Sequence, residues 1–111
     1  MVGTLLAALG VAASIQMTEP ADGRALSETA KLSDAIALTR ACPSLVIDRK
    51  SVAFALARAG ISLRPLMPEI GRQSEAMALR YMTLDRRQAC AIGRKLYGAD
   101  GVIARGFLAE R

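Results

Sequence analysis

Cys42 and Cys90 are the only cysteines in this chain of 111 residues. They do not form a C-x-x-C pattern, so their spacing does not indicate a thiol oxidoreductase. An even number of cysteines in a small exported chain predicts a disulfide, because such bonds persist in an oxidising compartment. The alternative is a pair of buried free thiols in a cytosolic core, since cysteine is among the most buried residue types.

No side chains of the sequence form a recognisable nucleophile–base pair. Histidine is absent, which removes the usual acid–base group at neutral pH and the commonest metal ligand. Two cysteines alone also fall short of a structural zinc site. The serines considered as nucleophiles, all without a histidine partner, are Ser44, Ser51, Ser62 and Ser74.

The aspartates and the glycine cluster have simpler structural interpretations. Asp34, Asp48 and Asp85 are interpreted as helix-surface or helix-capping residues. The segment YGADG at 97–101 follows a predicted helix and lacks a phosphate-binding lysine, so it predicts a turn and not a phosphate loop. We therefore predict a protein that is not an enzyme and that uses no cofactor and no metal.

The N-terminal segment predicts export. Residues 1–18 carry no charged side chain, and an apolar run at 5–13 is followed by small residues that suit signal-peptide cleavage. We predict a signal peptide at 1–16, a flexible leader at 17–26 and a single helical domain at 27–111. The protein would then be periplasmic or secreted, with no stable membrane span. The alternative is a cytoplasmic protein in which this segment is an apolar core helix.

The secondary structure around Cys42, Cys90 and the aspartates is predicted to be helical, because Ala and Leu are frequent and aromatic residues are sparse. The predicted fold is all-α: a small bundle of four principal helices plus a short C-terminal segment, with one disulfide. The helices are expected at 27–42, 49–59, about 68–82, and from Asp85 to Gly98. Residues 45–47 form an extended link, with no sheet expected beyond at most a short strand pair there, and the last residues form a turn and a short helix over helix four.

The apolar spacing along these helices predicts which side chains form the core. The residues expected to be buried are Leu32, Ile36, Val52, Leu56, Met77, Tyr81, Ile92 and Leu96.

The segment LARAGIS at 56–62 resembles the turn of a helix-turn-helix DNA reader, and the formal net charge is +5. A reading helix would have to follow immediately, but Pro65 and Pro68 interrupt it. We interpret Gly60 as the residue that caps a helix end. The basic residues are spread along the chain, which favours a solvated surface over a specific nucleic-acid site.

The segment between the second and third predicted helices is a possible protein-binding surface. Two prolines stiffen it, and four apolar residues crowd into it: Leu63, Leu66, Met67 and Ile70. The alternative is that these side chains fill the gap between the two helices.

A small exported helical domain with Cys42 and Cys90 on helices at the two ends of a long loop resembles the periplasmic acid-stress chaperones of the HdeA type. The resemblance covers 27–98 at the level of layout, and it implies a fold that exposes apolar surface to unfolding clients. The chain departs from that family in its basic charge and in having no tryptophan. ACPSLVIDR and ACAIGRKLYGADG also resemble segments of small exported proteins of Gram-negative bacteria.

The leading functional hypothesis is a non-enzymatic periplasmic protein that binds other proteins, as a stress chaperone or an envelope accessory subunit. The alternative is a cytoplasmic basic protein that associates with nucleic acid through arginine contacts to phosphates. A third hypothesis is a carrier that holds a small ligand between its helices.

Overall fold

The computed structural model describes residues 20–111, with side chains from residue 27 onward. Its helices are α1 (Pro20–Ala41), α2 (Arg49–Arg58), α3 (Met67–Tyr81) and α4 (Arg86–Tyr97), with a 3₁₀ turn at Arg64–Leu66, and its strands are β1 (Leu45–Ile47) and β2 (Leu108–Glu110). Four helices therefore dominate the described residues, as predicted. The signal peptide predicted at 1–16 lies outside them. Helix α1 begins at Pro20, so part of the segment assigned to a flexible leader is helical.

The helix ends follow local sequence signals. The Asp48 carboxylate accepts hydrogen bonds from the backbone N–H groups of Lys50 and Ser51, which caps α2. Asp85 and Gln88 form a reciprocal capping box at the start of α4. These interactions satisfy donors that have no partner inside the helix, and they confirm both aspartates as caps.

Gly60 ends α2 with a positive φ of 69°. The Ile61 N–H donates to the Leu56 carbonyl at 2.9 Å, and the Gly60 N–H donates to the Ala57 carbonyl at 3.1 Å. This pair of bonds is the Schellman arrangement of a glycine-terminated helix. The LARAGIS segment is thus a capped helix end, as predicted.

A two-stranded antiparallel sheet corrects the expectation of a C-terminal helix. Strand β1 pairs with β2, with Val46 opposite Ala109. The Asp48 N–H donates to the Phe107 carbonyl, and the Arg111 N–H donates to the Ser44 carbonyl, which extends the pairing at both ends. The C-terminal residues therefore return to the link after α1 and do not form a short helix over α4.

Helix α1 lies at the centre of the core and packs against α3, α4 and β1. Of the predicted core residues, Leu32, Val52 and Leu56 are buried. The other five are half-buried: Ile36, Met77, Tyr81, Ile92 and Leu96. None of the helices in the described part of the chain is long and apolar enough to cross a membrane.

Candidate functional site

The disulfide between Cys42 and Cys90 is present, with 5.0 Å between the two Cα atoms. It joins the residue after the end of α1 to the middle of α4. Both cysteines are buried, and the hydroxyl of Ser44 lies 3.2 Å from the Cys42 sulfur. The predicted pairing is confirmed, and the bond fixes the relative positions of two of the elements that line the cleft described next.

A carboxylate flanked by two phenols lies where α1, α3 and α4 meet. The Tyr81 hydroxyl donates to one oxygen of Asp34 at 2.5 Å, and the Tyr97 hydroxyl donates to the other at 2.6 Å. The Tyr97 side chain is buried, and its ring stacks on Phe107 with 6.2 Å between centroids. Asp34 is therefore more than the helix-surface residue that the sequence predicts.

The protonation of this cluster follows from its surroundings. Burial raises the pKa of Tyr97 above its ordinary value, and the hydrogen bond to Asp34 and the charge of that carboxylate raise it further. The pKa of Tyr81 is raised by the same causes in the same order. Both phenols consequently keep their protons at neutral pH and donate them to the carboxylate.

This cluster opens into a cleft of about 450 Å³, which we call the Asp34 cleft. Its remaining lining includes the apolar side chains of Met77 and Ile103 and the basic side chains of Lys31 and Arg80. Lys31 donates to Glu28 at 3.1 Å, so its charge is partly neutralised within α1. The arrangement is a mainly apolar cleft with one oriented carboxylate, which is suited to binding.

A second cleft of about 560 Å³ lies between α2 and the loop before β2, and it shares Lys31 and Ile103 with the first. Phe54 in this cleft is 64% exposed, and the neighbouring loop residues Val102 and Ile103 are 70% and 43% exposed. The Arg58 guanidinium carbon lies 5.6 Å from the centre of the Phe54 ring, within cation–π range. Arg105 also lines the cleft, as do Glu28 and Lys31, which form an ion pair with each other.

We call this region, formed by Phe54, Arg58, Ile103 and Arg105, the α2–loop surface. The ion pairs among the described residues involve neither of its arginines. We did not predict this surface from the sequence. The signal that could have found it is Phe54, a large apolar residue off the predicted core stripe of α2.

The four residues predicted as a protein-binding surface do not share one exposed face. Ile70 is buried in the core, and Leu63 and Leu66 pack against that core as half-buried side chains. Only Met67 is largely exposed, at 49%. The segment is a 3₁₀ turn leading into α3, so most of its apolar surface is covered, as expected if it fills the gap between α2 and α3.

Among the side chains that the structure describes, from residue 27 onward, no group of three or more His, Cys, Asp or Glu is placed to hold a metal ion. No protein-family model, curated protein or solved structure matches the chain. The two clefts and the disulfide are therefore the features of the described residues that bear on function.

Proposed function

We propose that the protein is an exported, non-enzymatic binding protein that holds other polypeptides on the α2–loop surface. The observation that carries this proposal is the exposure of Phe54 and Ile103 in one cleft beside two arginines without acidic partners. Contiguous exposed apolar patches, unlike single exposed side chains, are characteristic of interaction sites. Aromatic and arginine side chains are also enriched among the residues that dominate binding energy.

The charge of the surface specifies the chemistry of the partner. Arg58 and Arg105 favour carboxylates, while Phe54 and Ile103 favour apolar side chains. The expected partner is therefore an acidic polypeptide segment that also carries leucine-like residues. This chemistry fits a stress chaperone or an envelope accessory subunit, and the disulfide is consistent with the oxidising compartment that either would occupy.

Nucleic-acid association is the competing function, supported by the net charge of +5. Phosphates would pair with the arginines but would leave the exposed aliphatic side chain of Ile103 without a partner. For this reason we rank an acidic polypeptide above nucleic acid as the partner of this surface.

Fluorescence anisotropy of the oxidised protein with labelled peptides tests the proposal. The probe is a soluble peptide that alternates Glu with Leu. Two comparison peptides replace Glu by Lys or Leu by Ser, and a labelled DNA duplex serves as the competing ligand. We expect binding of the Glu/Leu peptide only. Tighter binding of the duplex, or equal binding of all three peptides, would contradict the proposal.

A double variant and a matched control locate the binding. Phe54→Ser with Ile103→Ser should weaken binding by at least about tenfold, the effect of losing a central interface residue. Leu79→Ser is the control, because Leu79 is 73% exposed on α3 and lies outside both clefts. Circular dichroism establishes that both variants are folded. Equal binding by the two variants would place the site elsewhere.

A further inference from the structure

The hydrogen-bonding character of the Asp34 cleft restricts what it can hold. Each tyrosine hydroxyl has one proton, and both protons are directed at the Asp34 carboxylate. The oxygens of Tyr81 and Tyr97 therefore act toward a further ligand as acceptors. The carboxylate also keeps acceptor capacity, since each of its oxygens has more than one lone pair. The cluster thus offers three acceptor groups and no free donor.

A primary ammonium is the complementary group. It carries three N–H donors and a positive charge, and it has no acceptor. The three acceptor groups lie together, because the two phenol oxygens are held within 2.6 Å of the carboxylate. Charge-assisted bonds to the carboxylate would supply most of the attraction. An anion placed against this cluster would meet acceptors only, because the donors of the cleft, Lys31 and Arg80, lie outside the cluster.

The rest of the cleft determines what the ammonium is attached to. Met77 and Ile103 line it with apolar surface, and Met77 can adapt to differently shaped groups. We infer that the Asp34 cleft binds a primary ammonium carried on a short apolar group.

Arg80 distinguishes between two kinds of ligand that carry a primary ammonium: a free amine and an apolar amino acid. Its guanidinium lines the cleft, and no ion pair among the described residues involves it. A free amine would leave Arg80 without a partner, whereas an apolar amino acid would also place its carboxylate near this cation. Both kinds of ligand carry the ammonium, so a single titration series can compare their affinities.

Calorimetric titration of the oxidised full chain with a matched series tests the inference. Phenethylamine carries the ammonium, phenylalanine adds a carboxylate, phenylacetate lacks the ammonium, and trimethylated phenethylammonium keeps the charge but has no N–H donor. We expect phenethylamine or phenylalanine to bind at least about tenfold more tightly than phenylacetate or trimethylated phenethylammonium. The last two compounds cannot donate a charged hydrogen bond to the cluster. Equal binding of the trimethylated compound, tighter binding of phenylacetate, or no binding in the series would overturn the inference.

Two substitutions assign the binding to this cleft. Asp34→Asn keeps the size of the side chain and removes its negative charge, so it should weaken phenethylamine by at least about tenfold without weakening phenylacetate. Arg80→Gln should weaken phenylalanine but not phenethylamine if the carboxylate is used. If Asp34→Asn left phenethylamine binding unchanged, the site would not be the Asp34 cleft. The ligand series on the unaltered protein decides the inference if that variant does not fold.

Discussion

Asp34 is the residue whose role depends most on distant parts of the chain. Its two partners are 47 and 63 positions away, on α3 and α4. A half-buried carboxylate without these donors would be costly, whereas two charge-assisted hydrogen bonds offset much of its desolvation. The same contacts hold α1 against α3 and α4 on the cleft side of the molecule. Asp34 therefore contributes both to the packing of the helices and to the polarity of the cleft.

The raised pKa values of Tyr81 and Tyr97 predict that the protein loses stability at alkaline pH. Their pKa values are raised above the ordinary 10.0, first by burial and then by Asp34. The unfolded chain therefore ionises at lower pH than the native one. The associated stability is complete below about pH 10 and is lost as the pH rises through the raised native values.

Urea denaturation at a series of pH values checks this prediction. The double variant Tyr81→Phe with Tyr97→Phe should show a shallower loss of stability above about pH 10 than the unaltered protein. At neutral pH each single substitution should lower the free energy of unfolding by about 1–2 kcal/mol. This is the expected contribution of one hydrogen bond to a charged group, reduced because the Asp34 carboxylate is only half-buried. An unchanged alkaline slope would show that the phenols are not held as described.

Among the secondary-structure elements, the sequence predicts the helix ends, which depend on neighbouring residues, but does not predict contacts between distant segments. The caps at Asp48, Gly60 and Asp85 depend on residues within one or two turns, and all three were predicted. Strand β1 pairs with a strand more than 60 residues away. Nothing in three apolar residues specifies such a partner, because pairing depends on how the helices bring the chain ends together. The Asp34 cluster escaped prediction for the same reason.

Two helical glycines provide a matched test of packing. A Cβ at Gly93 in α4 would lie 2.6 Å from the Cδ1 atom of buried Leu45, whereas a Cβ at Gly71 in α3 would meet nothing within 4 Å. Gly93→Ala should therefore destabilise the fold by about 1–3 kcal/mol through overpacking. Gly71→Ala should stabilise it by about 0.5–1 kcal/mol through helix propensity. Thermal melts measure both, and the same sign for the two variants would contradict the α4–β1 packing.

The turn between α2 and α3 gives a second test at this scale. Leu66 packs against the core, while Met67 is 49% exposed. Leu66→Ser should cost about 1–2 kcal/mol, and Met67→Ser should stay within about 0.5 kcal/mol. Urea denaturation distinguishes them. Equal effects on stability would mean that the segment does not fill the gap between the helices. Loss of peptide binding in a folded Met67→Ser variant would show that the segment is a binding site after all.

For the whole molecule, the disulfide is the dominant constraint on the unfolded chain. It links residues 48 positions apart, and the closed loop contains α2 and α3 entirely. Closing a loop of this length removes chain entropy worth about 4 kcal/mol from the unfolded state in the loop-entropy model. That contribution is a large part of the roughly 5–15 kcal/mol by which domains are stable.

Reduction should accordingly lower the melting temperature by well over ten degrees, at about 4–8 °C per kcal/mol for a domain of this size. Differential scanning calorimetry with and without reductant measures the shift. The double variant Cys42→Ala with Cys90→Ala is the control, because its melting temperature should not respond to reductant. An unaltered protein that melts at the same temperature in both conditions would remove the stabilising role of the bond.

The proposed function depends on export and oxidation, and the intact mass of the protein recovered without reductant from a Gram-negative host tests both at once. We predict a chain that lacks an N-terminal segment ending within residues 1–16. We also predict a mass lower by two hydrogen atoms than that of the same chain after reduction, because Cys42 and Cys90 are bonded. A full-length chain carrying two free thiols would contradict the account.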